Sequence, residues 1–232
     1  MGFQRARTQE QREVRRSTIL DTAAAMLDDM PVADVTLNAL SRRVGLAKSN
    51  VLRYFESREE ILLELLDRGF RRWLAELADE LPDAIDPHLP VEERIDRLAA
   101  VLSCSLQDHT AFSDLVSAQA SVLEHNVSVD VVVRYKRSTL ENLTILADRV
   151  RQAVPELGDK ALTICLMGVA MVAGLYAHAR PSASTVAAYD ADPGLAALRI
   201  DVCAALEESL ATLMTGVLHR PNGSKYLPRE PK

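Results

Sequence analysis

Residues 36–62, TLNALSRRVGLAKSNVLRYFESREEIL, hold two short helical patterns broken by one glycine and followed by a helix-opening signature, an order that few folds accept. Leu37, Leu40 and Val44 recur at helical spacing and give one apolar face, with Asn38, Ser41, Arg42 and Arg43 on the others. Thr36 suits the N-cap, where a hydroxyl can accept from a free backbone amide. Gly45 stands where this helix must stop, and a residue without a Cβ can take the left-handed conformation such a stop often uses. The second helix begins at about Ala47, turns Val51, Tyr54 and Phe55 inward, and leaves Lys48, Ser49, Asn50 and Arg53 exposed near its start. Cations, hydroxyls and an amide are the groups that bond phosphate oxygens and base edges in a major groove. Ser57-Arg58-Glu59-Glu60 then reads as a capping box, the hydroxyl and the Glu60 carboxylate satisfying each other's free amides. The pattern is that of a helix-turn-helix; on spacing alone, three helices of an ordinary bundle with solvated basic residues are the alternative.

The rest of the chain supports an all-α fold. It is 48% hydrophobic but only 4% aromatic, with few glycines and no sustained strand-like alternation. A net charge of -6 argues against a nucleic-acid binder until its distribution is read. Residues 1–58 hold ten Lys and Arg against seven Asp and Glu, and residues 59–232 hold seventeen against twenty-six. A basic head on an acidic body is compatible with DNA binding confined to one face. Cys104, Cys165 and Cys203 are far apart and odd in number, which supports neither a disulfide framework nor a paired-cysteine metal site. The Arg- and Gln-rich start leaves no room for the apolar core of a signal peptide, so the expected compartment is a reducing cytoplasm. No phosphate loop, zinc motif or nucleophile motif is present, so neither a cofactor, a metal nor an enzyme activity is expected.

Four segments follow: an arm over 1–9, a helix-turn-helix head over 10–65, a helical body over 66–219 and a polar, disordered tail over 220–232. In the head's first helix Ile19, Ala23, Met26 and Leu27 form the apolar face, with Arg12, Arg15 and Arg16 free to meet phosphates or water. A long helix runs from Ser57 to about Glu80 and is ended by Leu81-Pro82-Asp83, with the seam between head and body inside it. Helices are then expected from Val91, from about Ala111, over 127–153 along Val132, Tyr135, Thr139, Asn142 and Leu146, over 161–179, and from Gly194 to about Leu218. Residues 181–193 are expected as a flexible loop. Residues 161–179 contain no Asp, Glu, Lys or Arg and pass a membrane-span test on length. Their Ala and Gly content, with Thr163 and His178, favours a core helix covered on both sides, and no membrane partner is expected.

The run VGLAKSNVLRYFESREEIL resembles the DNA-binding signature of TetR-family transcriptional repressors: a small residue, Gly and an aliphatic residue before the recognition helix, then an aromatic-Phe pair and Ser-Arg-Glu opening a fourth helix. The likeness covers the N-terminal quarter. It departs at Leu52, where the family usually has a tyrosine, at Ala47 for a Ser or Thr cap, at Ser41 for an alanine, and in lacking a glycine within Asp29-Met30-Pro31-Val32. The resemblance implies a homodimer, joined through its last two long helices, that sits on a palindromic operator in double-stranded DNA and leaves it when a small-molecule effector enters the body. The candidate DNA contacts are Arg5, Arg7, Thr36, Arg42, Lys48, Ser49, Asn50, Arg53, Tyr54 and Arg58. Gln119, Tyr135, Asn142, Thr163 and Tyr176 are polar groups on apolar faces that could orient an effector, with Trp73, Phe112 and Met167 beside them. A helical interaction module without DNA activity and a small-molecule enzyme are the rival readings.

Overall fold

The computed structural model describes residues 2–179 and 181–220, with side chains from residue 9 onward. Every regular element among them is helical. The head comprises α1 (Gly2–Asp29), a 3-10 turn (Val32–Asp34), α2 (Leu37–Val44) and α3 (Lys48–Val51). Ile19, Leu20, Ala23, Met26 and Leu27 line the buried side of α1, and Leu40, Val51 and Phe55 join them in one core. Helix α4 (Arg58–Ala84) leaves this core and enters the body, where α5 (Val91–Ser105), α6 (Thr110–Ala118) and α7 (Val129–Ala153) pack against it. A π-helical turn, Gln119–Leu123, extends α6, and α8 (Ala161–Tyr176), α9 (Ala183–Ala191) and α10 (Val202–His219) complete the order. Helix α10 packs on α5 and α8, and α8 on α6 and α7.

Several boundaries differ from expectation. The segment read as an arm is the opening of α1, which starts at Gly2. Helix α4 runs past Pro82 to Ala84, because a proline in the last turn forfeits only one intrahelical bond, and the Ile85 amide still reaches the Leu81 carbonyl at 3.1 Å. The loop expected over 181–193 contains α9, opened by the Ser182 hydroxyl accepting from the Thr185 amide. The last helix starts at Val202 rather than Gly194: Asp192 caps a separate 3-10 turn, Pro193–Leu198, and Asp201 caps α10. From Pro221 on, the expected tail lies outside the described residues. Ser41, placed on an outer face by spacing, is buried and bonds the Asn38 carbonyl at 3.0 Å.

Helix α8 is covered on one side only. Ile164, Cys165, Gly168 and Val172 pack inward, and a Cβ on Gly168 would come within 3.3 Å of Leu210, so the missing side chain lets α8 and α10 close up. Leu166, 42% accessible, looks outward with Ala170 and Gly174. With the turn before it, this helix is long and apolar enough to cross a membrane, yet a third of its most apolar window is buried. Among the described residues nothing supplies the expected second cover.

Candidate nucleic-acid interface and effector cavity

The turn of the head is built from two local rules. The Thr36 hydroxyl accepts from the Ala39 amide at 3.1 Å and opens α2. Gly45, at φ 74° and ψ 31°, closes it with its amide on the Arg42 and Ser41 carbonyls. A Cβ at Gly45 would meet nothing within 4 Å, so the cost of a substitution there is that of the backbone alone. Gly45→Ala is expected to lower stability by about 1 kcal/mol, read as a lower denaturant midpoint at unchanged slope.

Helix α3 follows an Ala47 that offers no capping side chain, and lasts one turn before the chain winds on through Tyr54. Val51 and Phe55 are buried and anchor it. On its open side lie Lys48, Ser49, Asn50 and Arg53, with Leu52 40% accessible among them and Thr36 and Arg42 exposed nearby. Tyr54 is half-buried. Arg43 pairs with Asp29 at 2.7 Å, whereas Arg42, Lys48 and Arg53 carry no ion pair among the described residues. The side chains of Arg5 and Arg7 lie outside the described residues.

Two arginines are structural instead. Arg58 donates to the Val35 and Val32 carbonyls and, at 3.1 Å, to Glu59, so it ties the α1–α2 connection to the start of α4 and is not an open phosphate donor. Arg16 donates to the Tyr54 carbonyl at 2.6 Å, pairs with Glu64 and lies 4.0 Å over the Phe55 ring, which locks α1 to the end of α3. The capping box is shifted by one residue. Ser57 accepts from the Glu60 amide at 3.1 Å, but the Glu60 carboxylate accepts from the Glu56 amide at 2.6 Å.

The body holds a small cavity of about 70 Å³. Of the residues named above as effector candidates, Trp73, Phe112, Gln119, Tyr135 and Asn142 line it. Thr163, Met167 and Tyr176 do not: the lining residues of α8 are Ile164, Cys165, Gly168, Val169 and Val172, a helix face one position round from the expected one. Phe70, Trp73 and Phe112 form an aromatic cluster with ring centres 5.6 to 6.0 Å apart, and the Trp73 indole donates to Ser105 at 2.9 Å. Gly69 lets this cluster form, since a Cβ there would meet Phe112 at 3.1 Å.

Asp67 and Thr139 also line the cavity; neither is among the effector candidates above, although Thr139 shares the α7 face of Tyr135 and Asn142. The available signal was an acid at position 67 on the apolar stripe of Leu63, Leu66 and Phe70. Asp67 accepts from Asn142 Nδ2 at 2.8 Å, from the Ser138 hydroxyl, and from Arg71 Nε at 2.9 Å. Asn142 is 1% accessible, and its Oδ1 is buried without a partner. Gln119 spends its amide donor on Glu124; burial alone would raise that carboxyl, but Lys136 and Gln119 outweigh it and hold it below its ordinary value.

Burial pushes the Tyr135 phenol up to about 12, although the Thr139 hydroxyl works against it, and the Cys165 thiol up to about 12 as well. The ordinary values are 10.0 and 9.0, so as pH rises above about 9 the unfolded chain releases protons that the folded chain still holds. The stability these two groups contribute is complete below pH 9 and is lost as pH rises toward 12. Unfolding free energy measured across that range is expected to fall, and to fall less steeply above pH 10 in Tyr135→Phe.

Cys104 and Cys203, distant in sequence, have their sulfurs 3.9 Å apart, with Glu207 beside them. Two thiols and a carboxylate are a donor set for a soft divalent ion. Burial first, and then the Cys203 neighbour, raise the Cys104 thiol above its usual value.

Two family models divide the chain between them. One described as bacterial regulatory proteins, tetR family, matches residues 19–65, and one described as Tetracyclin repressor-like, C-terminal domain, matches residues 67–221. The chain belongs to the tetR family. Relatives of this TetR chain include the HTH-type transcriptional regulator EthR of Mycobacterium tuberculosis, 41% identical over 54 residues, which are 23% of this chain and 25% of EthR. The chain thus spans about a quarter of the length of the curated relatives it matches. A TetR transcriptional regulator from Rhodococcus sp. RHA1 superposes with a TM-score of 0.54 at 12% identity, covering 90% of this chain and 98% of the other. The regulator FadR from Bacillus subtilis, solved in complex with stearoyl-CoA, gives 0.52 at 15% identity, covering 88% and 99%. At such identities the likeness is one of fold. The family and the curated relatives are transcriptional regulators rather than enzymes.

The two family matches adjoin at residues 65 and 67, inside α4. In this TetR chain the head is also held to the start of α7: the Ser128 amide donates to Glu56 at 2.6 Å and Arg134 to Glu60 at 3.1 Å.

Proposed function

We propose that this protein is a sequence-specific DNA-binding transcriptional regulator that acts as a cytoplasmic homodimer, and that a small molecule entering the body cavity loosens its hold on a palindromic operator. The observation that carries this reading is that one helix serves both ends. Helix α4 opens beside α3 at Arg58 and walls the cavity with Leu66, Asp67, Phe70 and Trp73, roughly 12 to 22 Å further on at 1.5 Å per residue. A ligand that favours one placement of α4 also favours one separation of the two heads, and the population on DNA shifts accordingly.

Lys48, Ser49, Asn50 and Arg53, with Thr36, Arg42 and Tyr54 at the margin, form the surface that meets DNA; Leu52 is placed to touch a thymine methyl. The outer faces of α8 and α10 meet their copies in the dimer, which supplies the missing cover of Leu166, Ala170 and Gly174. The FadR structure, solved in complex with stearoyl-CoA, supports the idea that a protein of this fold takes a small-molecule ligand. The test is retention of fragmented genomic DNA on the purified protein. A discrete set of fragments, released steeply as salt rises, is expected. Retention of none, or retention that salt does not change, would favour a helical interaction module without DNA activity instead.

A further inference from the structure

We infer that the cavity takes a slim, neutral, apolar molecule carrying one hydrogen-bond donor, and that this donor meets Asn142 Oδ1; the inference rests on the reading of the cavity as the effector site. Among the described residues no Lys, Arg or His lines the cavity. A carboxylate or phosphate would therefore enter without a counter-charge and face Asp67, and an ionised group buried in that way shifts its protonation or stays out. A cation gains little more. The charge on Asp67 is answered by Arg71, and the same carboxylate accepts from Ser138 and Asn142.

Among the described residues one fully buried side-chain polar atom lacks a hydrogen-bond partner, and it is an acceptor. Asn142 Oδ1 is buried with no partner, while its amide nitrogen is fixed on Asp67 at 2.8 Å. Turning the amide over would set its carbonyl against the Asp67 carboxylate, two acceptors face to face, so Asp67 dictates which atom is left bare. A lone buried carbonyl costs free energy that a ligand hydroxyl or N–H recovers on binding, whereas an ether, ester or thioester offers only acceptors. The small volume of the cavity favours a thin chain or flat ring over a bulky cage.

Trp73 is the one tryptophan of the chain and lines the cavity, so its fluorescence reports occupancy. Titration of the full-length dimer with 1-octanol, octyl methyl ether, octanoate and octylammonium is expected to show the alcohol binding about tenfold more tightly than the ether, with both ions weaker than the alcohol. Asn142→Leu should remove the gap between alcohol and ether without weakening the ether. Tightest binding by either ion, a gap that survives Asn142→Leu, or no response of Trp73 to the alcohol would each overturn the inference. Should the variant fail to fold, the alcohol-to-ether ratio in the wild type decides alone. Alcohol binding in the expected order with no release of DNA would leave the ligand class standing and remove the effector reading; DNA release by compounds that show no such preference would do the reverse.

Discussion

Changing Lys48 and Arg53 together to alanine is expected to lower operator affinity by about a hundredfold or more while leaving the thermal midpoint almost unmoved. Both side chains stand on the open face of α3, so their removal takes nothing from the core. Neither leaves a carboxylate behind, since no acid pairs with them among the described residues. In a dimer each substitution occurs twice, and each phosphate bond removed should flatten the dependence of log affinity on log salt by about 1. Affinity measured at several salt concentrations therefore separates missing phosphate bonds from a damaged head. A double variant that binds as the wild type does, with the same salt slope, would show that α3 is not the reading helix.

The second large effect lies at the opposite end of the molecule. Leu166→Arg is expected to turn the dimer into a monomer at micromolar concentration and to weaken operator binding by a hundredfold or more, because one head keeps only half of the bonds to DNA. Leu166 is 42% accessible in the single chain, so an arginine there is harmless to the monomer. Across a two-fold axis it would meet its own copy in an apolar interface, and a desolvated pair of like charges is prohibitive. Sedimentation velocity reads the outcome. A variant that stays dimeric would place the interface elsewhere, with the bare side of α8 serving another purpose.

These expectations draw unequally on what the chain discloses before it is folded. The head is legible because its boundaries obey short-range rules: a hydroxyl at Thr36, a missing Cβ at Gly45, a hydroxyl at Ser57 three residues before an acid. On α7 the helical period places Tyr135 and Asn142 correctly on the cavity side, since polar neighbours mark the opposite face. Helix α8 has no such contrast. It is apolar all round, so pattern cannot say which side turns inward, and Thr163 and Met167 are chosen where Ile164 and Gly168 line the wall. The break before α10 is written in Asp192 and Asp201, but a run of leucines from Leu195 onward reads as one unbroken helix and hides it.

What no local rule encodes is the use of arginine. Arg16 and Arg58 look like DNA contacts in a basic head, and both are drawn inward by carbonyls far along the chain, at Tyr54 for the first and at Val32 and Val35 for the second. The bond between Asp67 and Asn142 is likewise tertiary, and with it the bare carbonyl that sets the ligand class. The pairing of Cys104 with Cys203 escapes spacing arguments for the same reason.

The function proposed for this molecule requires two copies of α3 to lie in major grooves on one side of a duplex, and selection of bound sites from a pool of random duplexes asks whether they do. Enrichment of an inverted repeat is expected, its half-sites centred about one helical turn apart or a whole multiple of it, with the preference abolished in Lys48→Ala/Arg53→Ala. Enrichment of a single unpaired half-site, or of no sequence at all, would refute that placement.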